Sequence, residues 1–228
     1  MSTARLASLA ATALLVALSL AACGDDDDSA QTTTAAPTTT APPPAELPGA
    51  LWPSPEVARH QFTPDDVALS FVEEFIGVRE PALGAFQQGD SRSGEVPVLR
   101  RGEDGKPTKR VIATIALRQL DGRRWFVIAA NSDEIAISEP ELLAAISSPV
   151  RISGKAVGHE GNVVLRVHDA FDPVPLAEKP VIAGSMKLEP FETELTFGAP
   201  ATTAGAIVAR AAQPLPGSDA FAAFPIAF

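Results

Sequence analysis

The side chains able to do chemistry in this 228-residue chain are few and scattered. A single cysteine, Cys23, cannot form an internal disulfide or a thiolate metal cluster. The three histidines, His60, His159 and His168, share no spacing that would set two ligands on one helix face. His159-Glu160 would need a second histidine at position 163 to make a helical zinc pair, and that position is Val163. His168-Asp169, at the end of a strand pattern, reads as a solvent-facing pair, since no motif places a serine or cysteine nucleophile beside it. Asp25 to Asp28 have neither the loop glycine nor the distal ligand of a calcium loop and read as a solvated stretch.

Two segments are denser in reactive or charged groups. Gly89-Asp90-Ser91-Arg92-Ser93-Gly94-Glu95 reads as a turn whose short polar side chains hydrogen-bond their own backbone, with Arg92 and Glu95 as a candidate binding lip. Arg100, Arg101, Lys106, Lys109, Arg110, Arg118, Arg123 and Arg124 put eight basic residues into 25 positions. Such a patch can hold an anionic envelope polymer or lipid headgroup by charge, or simply serve as a solvated strand face that blunts a sheet edge. The candidate ligand-binding residues are therefore Arg92, Glu95, Arg100, Arg101, Lys109 and Arg110. No catalytic residue, metal ligand or cofactor is assigned.

The net charge of −10 argues against nucleic acid as a partner, because phosphate neutralisation needs a basic face. Residues 1–22 carry one charge, Arg5, then an apolar run around Leu14 to Leu18 that is too short to span a bilayer and has the layout of a secretion signal. Leu20-Ala21-Ala22-Cys23 resembles the lipobox of bacterial lipoproteins. That resemblance implies cleavage before Cys23, a diacylglyceryl group on its thiol and a protein held on the outer face of the cell membrane. Residues 24–50 contain six Thr, six Ala and five Pro and cannot bury enough apolar surface to offset ordering entropy. They read as a disordered tether with a random-coil span of about 30 Å. Setting aside residues 1–50 leaves 17 basic and 23 acidic residues, an ordinary acidity.

The elements that must position the candidate residues follow from pattern. Thr63-Pro64-Asp65-Asp66 is a helix start, and Val67, Phe71, Val72, Phe75 and Ile76 then recur at helical spacing until Gly77. A strand over 95–100 and a hairpin of 111–119 with 125–131 across Asp121-Gly122 complete a small α+β unit, with Val111, Ala113, Ile115 and Leu117 facing its core. From Pro149 onward short strands recur, about seven in all, which predicts a β-sandwich of immunoglobulin type with Val163, Leu165, Val167, Leu195 and Phe197 inward. The expected fold is thus mainly β. A signal occupies 1–22, lipidated Cys23 and the tether 23–50, the α+β domain 51–139 and the sandwich 140–228.

Ile146 to Ala156, then Glu160-Gly161-Asn162-Val163-Val164-Leu165-Arg166-Val167, with Pro190-Phe191-Glu192 and Leu195-Thr196-Phe197, resemble the immunoglobulin-like domain of bacterial spore-germination proteins over about 146 to 228. His159 stands where that family has an aromatic or apolar residue. The resemblance carries no catalytic residues and implies binding or assembly at the cell envelope. The expectation is a membrane-anchored, non-enzymatic binding or scaffolding module, with the bilayer as partner through acylated Cys23 and a cell-wall polymer or envelope protein as ligand. The alternative is a cell-wall hydrolase or accessory using the Asp90–Glu95 turn, whose Gly-Asp-Ser opening resembles the nucleophile block of GDSL-type hydrolases. The chain lacks that family's downstream Asp-x-x-His.

Overall fold

The computed structural model describes residues 49–228 apart from 61, 62, 121, 158–161 and 186, so Cys23, the tether, His159 and Glu160 lie outside the described residues. The helix forms where its caps place it. Thr63 Oγ1 accepts from the Asp66 amide at 3.1 Å, and α1 (Pro64–Ser70) continues directly into a π-helical turn, Phe71–Ile76. Gly77 closes it in the left-handed region, at φ 78°, where a residue without a side chain is least strained.

Among the described residues twelve strands follow: β1 (Ala82–Leu83), β2 (Gln87–Gln88), β3 (Ser93–Arg101), β4 (Pro107–Leu120), β5 (Arg124–Asn131), β6 (Ile135–Glu139), β7 (Val150–Ala156), β8 (Asn162–Asp169), β9 (Pro175–Ile182), β10 (Glu189–Leu195), β11 (Ala204–Ala211) and β12 (Ala220–Ala227). They make an antiparallel nine-stranded sheet in the order β1-β3-β4-β5-β12-β11-β8-β9, with β2 beside β3, and a three-stranded sheet β10-β7-β6. One cross-strand row, Val96–Ile115–Ala130–Ala223–Val208–Arg166–Glu178, crosses the large sheet from β3 to β9.

That row marks the face under the helix. Phe71 meets Phe221 of β12 at 6.5 Å between ring centroids, and Phe75 lies 4.5 Å from the His168 ring of β8. The alternate residues point the other way. Over β8 and β11, Val163, Leu165, Val167 and Ile207 are fully buried and belong to the same core as Ile152, Phe191, Leu195 and Phe197 of the small-sheet layer, giving an immunoglobulin-like β-sandwich.

Three expectations change. The boundary at 139/140 separates two patterns in sequence but not two cores, because the helix packs on strands from both sides of it and one hydrophobic cluster spans them. Its physical cause is the width of the helix's aromatic face, which buries Phe71 and Phe75 against β12 and β8 as well as the early strands. Val111 is exposed rather than inward: the register slips between Val98 and Leu99, so β4 bulges at Ile112, and Ile112 takes the buried place. The β4–β5 connection is three residues, 121–123, with both Gly122 and Arg123 at positive φ.

Candidate functional site

The basic cluster divides into cations the fold uses and cations it leaves on the surface. Arg100 from β3 and Arg110 from β4 each place a guanidinium nitrogen 2.6 Å from a different oxygen of Glu134, whose side chain is only 8% exposed. Arg101 donates to the Glu80 carbonyl and, at 2.6 Å, to the Gly105 carbonyl, while its amide donates to Ser218 Oγ. Arg124 holds the Pro55 carbonyl at 3.0 Å. The structure therefore brings Arg100 and Arg110 together on one buried acid and places Arg101 in a separate clamp. Lys109, Arg118 and Arg123 are exposed and have no ion-pair partner among the described residues.

The Gly89–Glu95 segment is a shaped connection between β2 and β3. Asp90 Oδ1 accepts from the Arg92 amide at 2.7 Å, the Gly89 amide donates to the Ser93 carbonyl at 3.0 Å, and the Gln88 side-chain amide donates to the Asp90 carbonyl. The Arg92 amide, then the Ser93 hydroxyl, hold the Asp90 carboxyl below its ordinary value. Arg92 is tied to the end of β4 in both directions, its guanidinium donating to the Gln119 carbonyl and its carbonyl accepting from the Gln119 amide. Gly94 is required: a methyl there would overlap the Phe86 ring and the Gln87 carbonyl, and Phe86 stands edge-on to Trp125 at 5.2 Å. Glu95 is exposed on the face of β3 opposite the helix, paired across to Ala116 and, beyond it, Ala129.

This outer face is where the molecule is open. The three-stranded sheet packs mainly on β9, β11 and β12 of the large sheet, through β10 and β6, and has no contact of comparable extent with β3, β4 or β5. Two adjoining depressions result, sharing Arg118 and Ile128. The polar one lies among Gln87, Gln88, Ser93, Glu95 and Arg118. The more apolar one, about 500 Å³, lies among Gly49, Arg92, Arg118, Ile128, Leu142 and Leu143. Among the described residues no group of three His, Cys, Asp or Glu side chains is placed to hold a metal ion.

Strands β6 to β12 thus form the sandwich, with Glu134 fixed at its entrance. Residues 134–218 match the family model for the immunoglobulin-like domain of bacterial spore germination. No curated protein and no solved structure matches the chain. The matched segment begins at Glu134, earlier than the 146 expected from sequence, because β6 is a full member of the small sheet, pairing with β7 from Ile135 to Glu139. The Arg100–Glu134–Arg110 bridge therefore fastens the β3–β4 hairpin to the first residue of the immunoglobulin-like segment.

Within the immunoglobulin-like segment the His168-Asp169 pair corrects the expectation of solvent exposure. His168 is fully buried against Phe75, and Asp169 is buried, accepting from the Ala201 and Thr202 amides and the Thr202 hydroxyl. The His168 Nδ1 lies 3.0 Å from the Asp172 carbonyl, which can only accept, so the proton of the neutral ring sits on Nδ1. Nε2 is buried without a partner among the described residues, and burial pushes the His168 pKa down. Beside it Arg166 donates to the Ile76 carbonyl and Arg210 to the Gly77 carbonyl, each at 3.0 Å, so two strands of the immunoglobulin-like segment cap the C-terminal end of the helix. Glu134, Leu142 and Leu143 escaped sequence reasoning, and Arg118 was read as part of the basic cluster but not among the candidate ligand-binding residues. The only signal for Glu134 was an acid just before the apolar Ile135.

Proposed function

We propose that this chain is an extracytoplasmic lipoprotein, anchored to the outer face of the cell membrane through acylated Cys23, that presents a non-enzymatic binding or scaffolding module at the envelope. What supports the module reading is the open outer face of β3, β4 and β5 beside an immunoglobulin-like segment. The polar depression there offers side-chain donors and acceptors from Gln87, Gln88, Ser93 and Glu95 around a shallow floor, suited to an extended polymer or a partner's surface segment. The Asp90 carboxylate is engaged with its own turn, which weighs against the hydrolase alternative. Arg100, Arg101 and Arg110 serve the fold in this reading, so the ligand-facing residues of the expected set are Arg92 and Glu95.

The test is capture of envelope partners by crosslinking in cells, comparing wild type with Glu95→Lys and Gln88→Ala. Both residues are exposed, so folding is retained. Loss of the same crosslinked species in both variants supports the reading, and an unchanged set of partners refutes this face as the binding surface.

A further inference from the structure

The apolar depression has three features that coincide on one side of the molecule. Leu142 and Leu143 are consecutive and 62% and 56% exposed. Leu143 is also held at φ 60°, a left-handed conformation that leucine adopts only under constraint. The constraint is local, from the Leu143 amide to the Pro225 carbonyl at 2.8 Å and from the Ala144 amide to the Glu141 carbonyl at 3.1 Å. The fold thus fixes a strained turn in a shape that displays two apolar side chains to solvent.

Around them stand cations with no ion pair among the described residues, although the charge of Arg118 acts on Asp90 and Arg92 donates to the Gln119 carbonyl. Arg118 and Arg92 line the same depression, and Arg123 adjoins Arg92 on the far side. Glu141 beside Leu142 is the nearest exposed acid in sequence. The third feature is Gly49, the first described residue, which lines the depression, so the chain that leads back to Cys23 leaves the described fold beside it.

We propose that this face, with Leu142 and Leu143 at its centre and Arg92, Arg118 and Arg123 at its rim, docks the folded unit onto an anionic lipid bilayer. The inference rests on the lipid-anchored reading for the direction of the face, and it adds a second, protein-borne contact with the same membrane. Apolar side chains enter the headgroup boundary while guanidiniums meet phosphates. The folded region carries 23 acids against 17 bases, so its other faces are repelled by the same surface and the orientation is selected. The two chains of a diacylglyceryl group already meet the requirement for stable attachment, so this contact sets the orientation of the folded unit on the membrane and not its retention there.

The experiment uses the mature chain, residues 23–228 with Cys23→Ser, so that no acyl group is present. Flotation is measured with vesicles of equimolar phosphatidylglycerol and phosphatidylcholine and with phosphatidylcholine alone, at low and high salt. Binding to the anionic vesicles that weakens with salt is expected. Arg118→Gln and Arg123→Gln should each weaken it about fivefold, from the usual contribution of one basic residue near an anionic surface. Leu142→Ser with Leu143→Ser should weaken it at least about tenfold. Two controls should bind as wild type: Lys109→Gln, on the β3–β4 hairpin, and Ile182→Ser, on the opposite edge strand β9. No flotation at low salt, an unaffected leucine double variant, or an equal loss in Lys109→Gln overturns the proposal. Because the acyl group is absent, failure here leaves the lipidation of Cys23 untouched, and that is read separately from the N-terminal peptide of the cellular protein.

Discussion

Replacing Glu134 by alanine removes the acid that neutralises two arginines at the entrance to the immunoglobulin-like segment. Removing one partner of a buried ion pair costs about 3–5 kcal/mol, whereas an exposed pair contributes about 0–1 kcal/mol. Arg110 is 60% exposed and belongs near the lower figure, while Arg100 is 24% exposed and has a buried Nε with no partner among the described residues. The expected losses are about 3 kcal/mol for Glu134→Ala, about 2 for Arg100→Ala and below about 1 for Arg110→Ala. In a folded unit of about 180 residues, each kcal/mol moves the melting temperature by about 2–4 °C, so Glu134→Ala should melt roughly 6–12 °C lower. Urea unfolding and calorimetry of the three variants, with Glu134→Gln as a milder fourth, read these differences. A loss in Arg110→Ala equal to that in Glu134→Ala, or a Glu134→Ala effect within about 0.5 kcal/mol of zero, would refute the assignment of Arg100 and Glu134 as a structural clamp.

Other consequences can be measured on the same protein. The folded-state pKa of His168 is depressed, so below the unfolded value near 6.5 the unfolded chain takes up a proton that the fold refuses. Stability should fall by up to about 1.4 kcal/mol per pH unit from there down to the folded pKa, and His168→Phe should flatten this part of the acid limb. If the two proteins lose stability in parallel between pH 6.5 and 5, the buried neutral ring is not responsible. Gly94→Ala should cost about 1–3 kcal/mol and shift tryptophan emission, since Phe86 must leave Trp125, and unchanged emission would contradict the close packing. Arg210→Gln should cost about 1–2 kcal/mol and speed amide exchange in the last turn of the helix, with exchange elsewhere unaltered.

The helix was legible because each of its signals is local: Thr63 and Pro64 at one end, Gly77 at the other, and an apolar stripe between them. The sandwich strands were legible for the same reason, since Val163, Leu165 and Val167 alternate without interruption and are all fully buried. Strand β9 was not, because it is an edge strand carrying Pro175, Lys179 and Pro180, which protect an edge by spoiling a strand's sequence pattern. Val111 was misplaced because a bulge shifts the period by one and leaves no mark in residue type. The depth of His168 depends on a helix nearly a hundred residues away in sequence, and so does the sharing of one core across position 139. In the candidate site, Arg92 and Glu95 stand out in the sequence only by their place in the Gly89–Glu95 turn, whose shape is set by local hydrogen bonds. The fate of Arg100, Arg101 and Arg110 depended on partners at Glu134, Glu80 and Gly105, two of them backbone carbonyls that no composition reveals.

The most direct test of a lipid-anchored envelope module is mass spectrometry of the N-terminal peptide of the protein purified from its own membranes. The predicted result is a chain that begins at Cys23 with a diacylglyceryl thioether on its sulfur. A chain beginning at any other residue, or Cys23 carrying a free thiol, would contradict it.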